Sequence, residues 1–160
     1  MSLSTIERVL FLREVELFGK VHSEDLVHVA RIAQEVTFAA GETFIRQGDL
    51  GDCLYILIDG EASVVLQGVG EVAHRYPKSI LGELAIISRG PRSAHCIALT
   101  DITALKIEHD DFWDLLTDQP EIAQGVIRML AQRYEEAVAN LRVHGLSMQD
   151  RHPEHDYARR

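Results

Sequence analysis

The feature that most constrains this chain is a series of short apolar segments between Glu35 and Ile107, each cut off by a turn. The cuts fall at Gly41, at Gly48 and Gly51, at Asp59-Gly60, at Gly68 and Gly70, and at Gly90-Pro91. The segments between them are 35–39, 43–47, 53–58, 62–67, 72–76, 92–99 and 103–107. They are β-rich and too short for helices. Short strands at this spacing predict a sandwich or a barrel.

Both flanks read as helical. Ser4 with Glu7 three residues on is a capping box, and Ile6, Val9, Leu10 and Leu12 follow at helical spacing. A second start at Ser23 places Glu24 and Asp25 in a first turn, where acids suit the helix dipole. Helical segments are therefore expected within 4–33. After the β region, Asp110 and Asp111 are expected to cap a helix, and Pro120 fits the first turn of the next. Helices are expected over 110–144. The apolar positions from Ile122 to Leu141 repeat at about 3.5 residues, the period of a coiled-coil seam. Residues 146–160 are polar and aperiodic and are expected to be disordered. One domain over 1–145 accounts for the rest.

Charge excludes some functions. Sixteen basic residues against 25 acidic ones give a net charge of −9, with no basic stripe of the kind that follows a nucleic-acid backbone. An acidic chain that binds an anion must use a local site. The apolar runs 54–58 and 84–87 are far too short to span a membrane, and the N-terminus has no signal-peptide pattern. Cys53 and Cys96 lie far apart with no metal spacing, which fits a reduced, cytoplasmic protein. None of the eight histidines forms HxH or HExxH, and there is no GxSxG nucleophile elbow. No metal, cofactor or enzymatic activity is expected.

One segment breaks the strand rhythm. The residues Ser79 to Ser88 contain Leu81, Gly82, Glu83, Leu84 and Ala85, and they favour a brief helical turn. The first amides of any helix lack an intrahelical partner, and a glycine at the start lets a ligand approach them. Gly90-Pro91 then ends the turn, and Arg92 opens the next strand. A guanidinium at the base of such a loop can fork onto two phosphate oxygens. Glu83 would repel a phosphate, so it must face a hydroxyl-rich part of the ligand, and a ribose fits.

These residues resemble the phosphate-binding cassette of the cyclic nucleotide-binding domain family, which includes the bacterial cAMP receptor protein and kinase regulatory subunits. The match lies at Gly82, Glu83, Leu84, Ala85, Pro91, Arg92, Ser93 and Ala94. It extends through Phe38 to Glu42, Gln47 to Asp52 and Leu54 to Gly60, and covers about Leu17 to Leu141. The resemblance implies a mainly β fold with flanking helices, a jelly-roll β-barrel followed by a C-terminal helical lid. It implies a non-catalytic sensor of cAMP or cGMP that couples binding to movement of its C-terminal helices. By resemblance, Glu83 takes the ribose 2′-hydroxyl and Arg92 the cyclic phosphate. Gly82, Leu84, Ala85 and Ser93 complete the cradle, and Arg133 reaches towards Glu83. The helix around 120–142 would join two copies.

The chain also departs from the family pattern. Leu81 stands where the family prefers Phe. Ala137 and Val138 stand where the bacterial receptor grips adenine with two hydroxyl residues, so the choice of base is open. A scaffold of the same fold that binds nothing is the alternative. Fifteen residues follow Gly145, too few for the helix-turn-helix of related transcription factors. Within this chain no DNA-binding domain and no membrane segment are expected, whether it is whole or a piece of a longer protein.

Overall fold

The computed structural model of the chain describes residues 2–143. The order of elements is α1 (Thr5–Glu14), a 3-10 turn (Glu16–Phe18), α2 (Ser23–Ile32), and strands β1 (Gln34–Phe38), β2 (Thr43–Ile45), β3 (Cys53–Asp59), β4 (Ala62–Leu66), β5 (Gly70–Arg75) and β6 (Ile80–Leu81). Then come α3 (Glu83–Ser88), β7 (His95–Ala98), β8 (Ile102–Glu108), α4 (His109–Asp118) and α5 (Pro120–Val143). The described residues divide into two compact units that part between Val126 and Ile127. Both sheets and α1 to α4 belong to the first. The expected disorder of 146–160 concerns residues outside the described range.

The strands form two four-stranded antiparallel sheets, ordered β1-β8-β3-β6 and β2-β7-β4-β5. The jelly-roll expectation thus holds, with β strands flanked by helices at both ends. The core lies between the sheets, where Ile45, Cys53, Tyr55, Leu57, Leu81 and Cys96 from both sheets meet.

The two kinds of apolar pattern have different causes. β3 reads as an unbroken apolar run because it is buried on both faces. Cys53, Tyr55 and Leu57 point between the sheets, while Leu54 and Ile56 on the opposite face are also fully buried. β7 instead alternates: Cys96 and Ala98 are buried, and His95 and Ile97 are half-buried. His95 and Cys96 therefore face opposite ways, as neighbours in a strand must.

Some boundaries differ from the sequence reading. The strand expected over 92–99 begins only at His95, because Arg92 is engaged elsewhere. Its N–H donates to the Asp49 carbonyl at 2.7 Å, and its own carbonyl accepts from Gly48 N at 2.9 Å. Asp110 and Asp111 do not cap α4. Glu108 is the N-cap residue, the helix starts one residue early at His109, and the aspartates occupy its first turn, where the dipole favours them. The N-terminal stretch holds the two helices expected from the starts at Ser4 and Ser23, each ten residues long, joined by the buried 3-10 turn of Leu17 and Phe18. Pro120 opens α5 as expected.

Candidate functional site

The site begins at Gly82. β6 is only two residues long and pairs with Tyr55 and Ile56 of β3, which puts Leu81 in the core. The chain must then turn at once into α3. Gly82 does so at φ 84°, ψ 8°, a left-handed conformation that favours glycine, and no side chain caps the helix start.

Glycine is needed here for a second reason. A Cβ on Gly82 would lie 2.3 Å from Nη1 of Arg92, so the guanidinium occupies the space that any side chain would fill. Arg92 Nη1 donates to the Gly82 carbonyl at 3.0 Å, and Nη2 donates to the Cys53 sulfur at 3.5 Å. Gly51 closes the other side. A Cβ there would stand 2.4 Å from the Ala85 Cβ and 3.1 Å from the Arg92 guanidine carbon. In the sequence Gly51 is only turn punctuation. Its φ is not left-handed, so its requirement for glycine comes from packing alone, which a sequence does not display.

Among the described residues, Glu83 and Arg92 are the only charged side chains that are buried, at 6% and 7% exposure. Burying a charge costs several kcal/mol unless partners compensate, so two such groups nine residues apart mark a built site. Ala85 is buried beside them, Leu84 is partly exposed, and Ser93, next to Arg92, is exposed. The structure thus brings Gly82, Glu83, Ala85 and Arg92 together. Arg133 lies in α5, within the second unit.

Cys53 and Trp113 escaped the sequence reading. Burial pushes the Cys53 thiol above its ordinary pKa, opposed by a hydrogen bond with Tyr55 and by the Arg92 guanidinium. Burial also raises the Tyr55 hydroxyl. Both groups are therefore neutral at physiological pH. Trp113 Nε1 donates to the Ile86 carbonyl at 3.2 Å, and the Arg89 guanidinium lies 5.7 Å from its ring centroid. At the start of the same helix, His109 N donates to the Asp52 carbonyl at 2.8 Å. α4 is thereby fastened to α3 and to the loop before β3, the two walls of the Arg92 site.

Among the described residues no cluster of His, Cys, Asp or Glu could hold a metal ion, and no helix is long and apolar enough to cross a membrane. The buried cation, the left-handed glycine and the uncapped helix start give the site the chemistry to receive a compact anion.

Comparison with known proteins agrees. The chain is 36% identical over 107 residues to a cAMP-dependent protein kinase regulatory subunit of Emericella nidulans, a match covering 66% of this chain and 26% of that one. It is 28% identical over 134 residues to a CRP-like cAMP-activated global transcriptional regulator of Mycobacterium tuberculosis, covering 81% and 60%. The chain thus spans less than two thirds of the length of these relatives. The regulatory domain of Toxoplasma gondii PKA, crystallised with cAMP, superposes with a TM-score of 0.70 at 26% identity, over 80-odd per cent of this chain (82%) and half of that one (50%). The family model for the cyclic nucleotide-binding domain matches residues 35–119, which holds both sheets and the whole Arg92 site, and the chain belongs to that family.

Proposed function

We propose that this chain is a non-catalytic cyclic nucleotide sensor with cAMP as its ligand. The observation that carries the reading is the buried Arg92 guanidinium, seated against the carbonyl of a left-handed glycine that starts a helix. Arg92 pairs with the cyclic phosphate, and the Gly82 and Ala85 backbone with the Ser93 hydroxyl completes the cradle. Glu83 accepts the ribose 2′-hydroxyl, and Leu84 stands at the rim. The relatives named above are described as cAMP-dependent or cAMP-activated, which favours cAMP over cGMP.

Binding is read out through α4. Anything that shifts α3 pulls on Trp113 through the Ile86 carbonyl, and α4 continues through Gln119 into α5. A ligand that prefers one position of these helices shifts their population. Exposed Ile127 and Tyr134, one heptad apart on α5, would face a second copy. Size-exclusion chromatography with light scattering tests the dimer: a mass near 18 kDa rather than twice that removes it.

Isothermal titration of the chain with cAMP and with cGMP, for wild type and Arg92→Ala, tests the sensor. cAMP is expected to bind the wild type more tightly than cGMP, and Arg92→Ala to weaken it by roughly tens to hundreds of fold. A folded wild type that binds neither nucleotide, and whose melting temperature neither one raises, would instead be a scaffold of this fold.

A further inference from the structure

Behind the cradle runs a line of side chains that the Gly82 to Ser93 motif does not contain. Cys53 is the first residue of β3 and points between the sheets. Its sulfur accepts from Arg92 Nη2 at 3.5 Å and shares a hydrogen bond with the Tyr55 hydroxyl. The Tyr55 ring is held edge-on by Phe38 and Phe44, at 5.3 and 5.7 Å between centroids, and those two rings stack on each other at 4.5 Å. The guanidinium therefore has a backbone support on one nitrogen and, on the other, a side-chain support braced against an aromatic cluster.

A guanidinium is a planar fork, and its two-point grip on a phosphate depends on the direction of that plane. The Gly82 carbonyl alone holds one corner and leaves the plane free to swing. A second contact at Nη2 fixes it. Sulfur is a weak, neutral acceptor, so it orients the fork without competing with an anion for its charge. A carboxylate at this position would neutralise the guanidinium before any phosphate reached it.

We propose that Cys53 is a positioning residue of the phosphate site, its sulfur setting the plane in which Arg92 meets the cyclic phosphate. The inference rests on the reading of Arg92 as the phosphate ligand. It makes the residue at 53 a determinant of nucleotide affinity through Arg92 rather than through contact with the nucleotide.

The test is titration with cAMP of wild type, Cys53→Ser, Cys53→Ala and Tyr55→Phe, then of Arg92→Lys with and without Cys53→Ala. Loss of the sulfur acceptor in Cys53→Ala should weaken binding about fivefold, the worth of one modest hydrogen bond. Cys53→Ser keeps an acceptor and should stay within about twofold of wild type. Tyr55→Phe keeps the ring and loses only the brace, for about a twofold loss. A lysine ammonium has no plane to orient, so in Arg92→Lys the change at Cys53 should have almost no further effect. Thermal unfolding without nucleotide separates packing from positioning, because a packing defect lowers the melting temperature equally in both backgrounds. The inference falls if Cys53→Ala binds like wild type, or if it weakens the Arg92→Lys protein by the same factor. Should Cys53→Ala not fold, a Tyr55→Phe protein with unchanged affinity overturns it. A wild type that binds no cyclic nucleotide would take down the sensor reading and this inference together.

Discussion

Two helix starts in this molecule solve the same problem in opposite ways. α1 satisfies itself: the Ser4 hydroxyl accepts from the Glu7 N–H at 3.2 Å, and the Glu7 carboxylate takes the Ser4 N–H at 2.7 Å. α3 starts on a glycine with no side-chain cap and sets a guanidinium against that glycine's carbonyl. A helix N-terminus already carries partial positive charge, so a cation beside it is unfavourable unless an anion joins them. The first arrangement contributes stability at rest. Under the proposed function the second keeps its guanidinium for an incoming anion, which is how a binding site would differ from a cap.

The largest effect should come from removing the cation at the second start. Arg92→Ala is expected to reduce nucleotide affinity by about 2–3 kcal/mol, the value of a bidentate charge-assisted contact. The rise in melting temperature that cAMP gives wild type should vanish at the same concentration. An undiminished rise would mean that α3 needs no guanidinium to hold an anion, and the contrast between the two starts would collapse.

The two glycines come next, and they separate backbone strain from crowding. Gly82→Ala places a Cβ at positive φ, at a cost of about 1–2 kcal/mol, and pushes Arg92 Nη1 off its carbonyl. Gly51→Ala has no such strain, but its Cβ meets the fixed Ala85 Cβ at 2.4 Å, and overpacking of this kind costs about 1–3 kcal/mol. Chemical denaturation and cAMP titration of both variants should show each losing stability and affinity together. Unchanged affinity in either would detach that glycine from the cradle.

Trp113→Phe is smaller. It keeps an aromatic ring near Arg89 but leaves the Ile86 carbonyl without the indole donor, for a loss of about 1 kcal/mol in unfolding free energy. Under the proposed readout, cAMP should change the intrinsic fluorescence of Trp113 in the wild type, because its Ile86 partner moves, and Trp113→Phe, which removes the single tryptophan, should lose that signal. An emission spectrum of the wild-type protein that is identical with and without saturating cAMP would break the link between α3 and α4.

How much of this was written in the sequence follows from the range of each interaction. The capping box, most of the strands and the glycine that opens α3 are local, and short windows display them. Arg92 and Glu83 could be picked only because a spaced motif linked them. Their burial, the strongest structural sign of a site, is a property of the whole fold. Contacts between elements distant in the chain were invisible: Gly51 against Ala85, Cys53 under Arg92, Trp113 against Ile86. The strand misplaced at Arg92 has the same origin, because that backbone bonds to Gly48 and Asp49, more than forty residues earlier.

The first helix start gives the smallest effect and the cleanest control. The Ser4 N–H and then the Ser4 hydroxyl hold the Glu7 carboxyl below the ordinary glutamate value. A group whose folded pKa lies below its unfolded one stabilises the protein above the unfolded value, and that contribution fades as pH falls through the folded value. The capping contribution of Glu7 should therefore be complete at neutral pH and disappear in the acid range below ordinary glutamate titration. Ser4→Ala should lower unfolding free energy by about 1 kcal/mol at pH 7 and leave cAMP affinity untouched. Glu7→Gln should flatten the acid limb of the stability profile in comparison with wild type. Denaturation curves for the three proteins between pH 7 and pH 3, read beside their pH 7 titrations with cAMP, decide the point. If Ser4→Ala weakens nucleotide binding as much as it weakens the fold, the two helix starts are not independent, and the division between a start built for stability and one built for an anion does not hold.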